Sequence, residues 1–129
     1  MTLRERLDAM REASKARIPP EARAVMEHSI DNLRASAVMA RIAAVGHKAA
    51  DFALPDSTGR TVSLGDLRAH GPVVLSFYRG VWCPYCNFEL QALQAALPEI
   101  TGRGASLVAI SPQTAANSRR AERGFPQPW

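Results

Sequence analysis

Both cysteines of this 129-residue chain fall in one tetrad, Cys83-Pro84-Tyr85-Cys86, and residues of that type at that spacing suit thiol chemistry. Residues 73–78, Val-Val-Leu-Ser-Phe-Tyr, form an apolar, β-branched and aromatic run that predicts a buried strand. Arg79-Gly80-Val81-Trp82 then turns the chain into a helix. Pro84 suits the first helical position, because its missing N–H would be unpaired there, which makes Cys83 the expected N-cap and puts Cys86 in the first turn. Free backbone N–H groups and the positive end of the helix dipole favour thiolate over thiol and should lower the cysteine pKa. Thiols at i and i+3 of a first turn are near enough for a strained, reducible disulfide, so the pair should shuttle between dithiol and disulfide. If a hydroperoxide arrives, such a thiolate can attack its O–O bond, become a sulfenic acid and be resolved by the neighbouring thiol. Trp82 and Tyr85 would shield the pair, and Arg79 or Arg103 could supply positive charge, with a solvated surface role the favoured alternative for either arginine. No metal or organic cofactor is needed.

Other chemistries find less support. One C-x-x-C supplies half a zinc site, but no second such pair and no H-x₃₋₅-H follows, and His28, His47 and His70 are scattered. A c-type haem would need histidine directly after the second cysteine, where Asn87 stands. Two cysteines three apart are not a secreted disulfide framework, and the start, M-T-L-R-E-R-L-D, lacks the apolar core of a signal peptide, which points to the cytoplasm. No apolar stretch approaches the ~20 residues needed to span a bilayer, so no membrane partner is expected. The net charge of +4 comes from 16 Lys+Arg against 12 Asp+Glu interleaved along most of the chain, which reads as a solvated surface rather than a nucleic-acid site.

The elements that must position the tetrad follow from periodicity and punctuation. A length of 129 residues at 47% hydrophobic allows one compact domain plus appendages. Residues 1–45 read as a helical extension. A first helix has Thr2 and Glu5 spaced as a capping box and ends by Ile18, and a second is expected from Pro20 to about Val45, stopped by Gly46. Met26, Ile30, Leu33 and Ala37 would form its apolar stripe, covering the rest of the domain or a partner subunit. Residues 46–129 form the main domain. Asp51–Leu54 and Arg60–Leu64 read as a hairpin about a Pro55–Gly59 turn, and Ser63 caps a short helical turn before His70-Gly71-Pro72 breaks the chain. After the cysteine helix, which Pro98 should limit or end, Ala105–Ile110 reads as a second buried strand. Strand, helix and strand make a right-handed βαβ unit, hence an α/β fold with a partly parallel sheet. Residues 113–123 predict one more helix, and the chain ends abruptly at Gly124–Trp129 with no further strand signal.

The run F-Y-R-G-V-W-C-P-Y-C-N-F-E-L, the preceding D-F-A-L-P-D-S-T-G-R-T-V-S-L-G-D-L and the following V-A-I-S-P-Q-T resemble the peroxiredoxin-like branch of the alkyl hydroperoxide reductase and thiol-specific antioxidant superfamily. The likeness spans roughly Gly46 to Asn117. It implies a thioredoxin-like, peroxiredoxin-type fold and a hydroperoxide-reducing enzyme, re-reduced by a thioredoxin- or glutathione-type donor. By the same resemblance Cys86, followed three residues later by the acid Glu89, is the peroxidatic cysteine and Cys83 resolves it. Cys83 replaces the family's threonine, Arg79 stands at its proline position, and its later arginine has no counterpart here. Read as thioredoxin, W-C-P-Y-C instead makes Cys83 the exposed attacking thiol of a protein disulfide reductase and Cys86 the resolving one. C-P-Y-C is also the glutaredoxin tetrad, although glutaredoxins place it near the N-terminus. The resemblance further implies a closing antiparallel hairpin and a final helix for which the residues give no signal. The chain is therefore expected to be C-terminally truncated and possessed of an open edge at residues 73–78, which the long helix or a homodimer would cover; a non-catalytic scaffold is the remaining alternative.

Overall fold

A computed structural model describes residues 1–123, and the expectation about the ending at 124–129 lies outside them. The chain falls into two compact units, residues 1–50 and a second beginning at Asp51.

The first unit is helical. In α1 (Leu3–Arg17) the expected capping box forms: Thr2 Oγ1 accepts from Glu5 N–H at 3.3 Å, and Thr2 N–H donates to Glu5 Oε2 at 2.7 Å. The long second helix does not. It stops as α2 (Pro20–Ala35), and a single turn, α3 (Val38–Arg41), follows. Ser36 causes the break. Its hydroxyl donates to Leu33 C=O at 2.7 Å and accepts from Val38 N–H at 3.3 Å, a local competition with the helical ladder that favours a cap over continuation. The stripe of Met26, Ile30 and Leu33 is exposed, and none of the three helices buries a residue.

The second unit carries the tetrad. β1 (Ala53–Pro55) and β2 (Thr61–Ser63) pair antiparallel, Leu54 facing Val62. Asp56 ties their turn by accepting from Thr58 N–H, Thr58 Oγ1 and Arg60 N–H at 2.7–2.9 Å. The Thr58 hydroxyl, ahead of the two backbone donors, holds the Asp56 carboxyl below its ordinary pKa. Ser63 caps α4 (Leu64–Ala69) as expected, accepting from Asp66 N–H at 3.1 Å. β3 (Val73–Phe77), α5 (Pro84–Gly102) and β4 (Ser106–Ile110) form the βαβ unit, β3 and β4 pairing parallel in a two-stranded sheet with Leu75 opposite Val108. α6 (Ala115–Glu122) closes the described chain, capped by Thr114 and tied to the hairpin turn by Arg119 Nη1 donating to Ser57 C=O at 2.7 Å.

The core gathers along α5. Cys86, Leu90 and Leu97 lie on one helical stripe and are buried with Cys83, Leu64, Leu107 and Ala121. α5 does not end at Pro98 but runs one turn past it. Buried Leu97 anchors that turn, and Thr101 Oγ1 donates to Leu97 C=O at 2.9 Å, so tertiary packing and a side-chain hydrogen bond outweigh proline's local penalty. Neither strand is buried on both faces, contrary to expectation. Ser76 and Leu107, on one face by alternation, are buried, whereas Phe77 on the other is 71% exposed, because among the described residues this sheet has two strands.

The two strands can start together only because Gly71 lies against the Gly104 carbonyl. Gly71 has φ of 143° and a Cβ there would meet that backbone oxygen, while Ser106 N–H donates to Pro72 C=O at 2.9 Å beside it. Gly71→Ala should therefore destabilise the protein by about 1–3 kcal/mol. Gly102→Ala, at a helical position with open space around it, should be neutral or stabilising. Urea melts of both variants check this, and equal midpoints would contradict the close approach.

Candidate functional site

The site forms where β3 hands the chain to α5. Pro84 opens α5 and Cys83 is its N-cap, so the expected helix start is in place. Both sulfurs are thiols, and Cys86 Sγ donates to Cys83 Sγ at 2.9 Å. Their relative exposures are 3% for Cys83 and 9% for Cys86. The expectation that Cys83 is exposed is thus corrected: it is buried more deeply than Cys86, at the end of a turn in which its N–H donates to Gly80 C=O at 3.1 Å.

The acidity of Cys86 also differs from expectation. Burial pushes its thiol above the ordinary value, and Cys83 adds to the rise through the hydrogen bond and through charge repulsion. Backbone N–H groups of Arg79 and Gly80 act the other way. A first-turn position that lowers a solvated cysteine's pKa is here outweighed by loss of water and a second thiol in contact.

The flanking residues sort into two groups. Trp82, 61% exposed, and Tyr85 stand at the surface beside the buried sulfurs. Arg79 stacks over the Trp82 ring at 4.5 Å from its centroid, a cation–π contact. Glu89 is exposed one turn on from Cys86. Arg103 is not near the thiols: it caps the far end of α5, roughly 28 Å along the axis, and pairs with Glu99 at 2.9 Å. That pair and the exposed pairs Lys15–Glu12 and Arg34–Asp31 occupy basic residues locally with acids on their own helices. Among the described residues no group of three or more His, Cys, Asp or Glu is placed to hold a metal, and no helix is long and apolar enough to cross a membrane.

Two residues that the sequence did not single out for a role hold the turn. Asn87 Nδ2 donates to Val81 C=O at 3.0 Å. Gln113, from the segment between β4 and α6, accepts from Val81 N–H at 2.9 Å through Oε1 and donates to the Tyr78 hydroxyl at 2.7 Å through Nε2. Gly80, at φ of 151°, fits between these groups because a Cβ would stand 2.7 Å from Trp82 Nε1 and 3.2 Å from Gln113 Oε1.

The AhpC/TSA family model matches residues 45–124. A candidate peroxiredoxin, bcp, of Helicobacter pylori (strain ATCC 700392 / 26695) is 38% identical over 59% of this chain and 49% of its own length. The thiol-disulfide oxidoreductase ResA of Bacillus thuringiensis (strain Al Hakam) is 30% identical over 51% of this chain and 37% of its own. The crystal structure of peroxidoxin BcpB from Mycobacterium tuberculosis superposes with a TM-score of 0.59 at 35% identity, covering 64% of this chain and 55% of that one. The fold is thioredoxin-like α/β, and the chain spans about half the length or less of these curated relatives.

Cys83→Ala removes two of the three influences that raise Cys86, leaving burial. The Cys86 thiol should then titrate at lower pH than in the native chain, and its alkylation near neutrality should speed up about three- to tenfold. Thiolate absorbance against pH measures this; an unchanged or higher midpoint would contradict the contact between the sulfurs.

Proposed function

The chain belongs to the AhpC/TSA family, and we propose that it is a thiol oxidoreductase that reduces hydroperoxides through Cys86 and Cys83. The observation that carries the reading is the meeting of two free thiols 2.9 Å apart at the head of α5. In this mechanism the Cys86 thiolate attacks one peroxide oxygen, an S–O bond forms, the O–O bond breaks, and the departing alkoxide takes a proton from solvent. Cys83 then attacks the sulfenic sulfur, the S–S bond forms, and the displaced hydroxide leaves as water with the Cys83 proton. Two thiols of a thioredoxin- or glutathione-type donor restore the dithiol and are themselves oxidised. Pro84 fixes the helix start, Trp82 and Tyr85 line the approach to the sulfurs, Arg79 is held at that surface by Trp82, and Glu89 is the acid at the family spacing. An exchanging pair of this kind works against a reducing thiol pool, which is consistent with a cytoplasmic setting.

One observation favours a second reading. Cys86 Sγ donates its hydrogen bond to Cys83 Sγ, and burial raises the Cys86 pKa, an arrangement that suits Cys86 as the resolving thiol in protein disulfide exchange, with Cys83 attacking first. The relative named ResA is a thiol-disulfide oxidoreductase, and this chain would then act in that manner.

Stopped-flow oxidation by peroxide separates the readings. The rate for the native chain should climb about tenfold per pH unit from neutrality towards the Cys86 midpoint, because only the thiolate attacks. Cys83→Ser should accumulate a sulfenic acid on Cys86 that dimedone traps. If neither single-cysteine variant consumes peroxide while Cys83 in Cys86→Ser forms mixed disulfides, the exchange reading replaces the peroxidase one.

A further inference from the structure

The turn that carries the thiols into α5 is held by few contacts of its own. Residues 79–82 belong to no helix or strand, and a glycine with φ of 151° sits in their middle. What grips the turn comes from two side chains on different elements: Asn87 takes the Val81 carbonyl, and Gln113 takes the Val81 N–H. Gln113 also reaches the Tyr78 hydroxyl at the end of β3 and lies 3.5 Å from Ser118 Oγ on α6. Its part-buried carboxamide thus spans the turn from both ends, 32 residues away from Val81 and 35 from Tyr78 in sequence. Between those contacts lie the Arg79 and Gly80 N–H groups, the backbone donors that act on Cys86.

We propose that Gln113 is a positioning residue for the thiol pair: its carboxamide holds the Tyr78–Val81 turn against the start of α5 and fixes how the backbone N–H groups of the turn meet Cys86. The inference rests on the reading of Cys83 and Cys86 as the working site. Gln113 is not placed to react with substrate; it acts through the turn. Without it the Val81 N–H loses its partner and the turn is left to the Asn87 clamp on the Val81 carbonyl, so the placing of the Arg79 and Gly80 N–H groups relative to Cys86 is less firmly fixed.

The test is site-resolved alkylation of the reduced full chain with iodoacetamide, followed by peptide mass spectrometry from neutral to strongly alkaline pH. Gln113→Ala should shift the Cys86 midpoint upward and slow its alkylation near neutrality by about three- to tenfold. Arg119→Ala is the control, because it removes another long-range side-chain clamp, to the Ser57 carbonyl, away from the turn. It should lower thermal stability and leave the Cys86 midpoint in place. If Gln113→Ala behaves like Arg119→Ala, losing stability with an unchanged midpoint, the positioning role is overturned. Should Gln113→Ala fail to fold, Tyr78→Phe decides: it removes one hydrogen bond to the same carboxamide, and a smaller upward shift supports the proposal whereas none overturns it. The readout is thiol acidity, not turnover. Native protein that consumes no peroxide would therefore overturn the peroxidase reading, while the alkylation series would still decide the role of Gln113.

Discussion

Two sulfur atoms in contact and out of water set the terms for the rest of the structure. Burial opposes charge on Cys86, and Cys83 at 2.9 Å opposes it further, because the Cys86 proton is held in the hydrogen bond to the Cys83 sulfur and a charged Cys83 would repel a second thiolate. The same closeness makes the pair easy to join once an oxidant has taken electrons from one sulfur, since little backbone movement separates dithiol from disulfide. Acidity and resolution therefore pull against each other. The protein answers with backbone N–H groups aimed from a turn rather than with the two arginines that the sequence offered: Arg79 is engaged by Trp82, and Arg103 lies at the other end of the helix.

The scaffold is arranged to make that turn reproducible. β3 and β4 pair in parallel from their first residues because Gly71 passes against Gly104, so the C-terminal end of β3 and the loop after β4 arrive side by side. Tyr78 extends the ladder by donating its N–H to Ile110 C=O at 2.9 Å. Gln113 follows three residues later and so falls within reach of the turn. α5 supplies the other wall, its buried stripe of Cys86, Leu90 and Leu97 making the Cys86 thiol part of the hydrophobic core. Any disturbance of core packing along α5 is then also a disturbance of thiol chemistry, a coupling that an exposed cysteine would not have.

What the sequence revealed was what depends on neighbours in the chain. The Thr2–Glu5 capping box, the Asp56 turn, the Ser63 cap and Pro84 at the start of α5 are local hydrogen bonds or dihedral preferences, and each was readable from residue types a few positions apart. Parallel pairing of β3 and β4 followed from strand, helix and strand in order. Ser36 was hidden because serine is neutral within a helical pattern until its hydroxyl finds partners on both sides. Pro98 misled in the opposite direction, since its local penalty was visible and the packing of Leu97 that offsets it was not. The acidity of Cys86 depends on water exclusion, and the grip of Gln113 on contacts more than thirty residues long, neither of which has a local signature. The likeness to the AhpC/TSA family was legible from the extended run of residues around the tetrad, which the family match at residues 45–124 bears out.

If Cys83 and Cys86 are one redox unit, they must gain and lose electrons together. Equilibration of the intact chain across glutathione buffers of graded poise, with acid quenching and mass measurement, tests this directly. A single two-electron transition between dithiol and an intramolecular disulfide is expected, with no glutathione retained at either end of the titration. A glutathione adduct that persists on one cysteine, or a stoichiometric zinc ion that blocks both thiols, would contradict it.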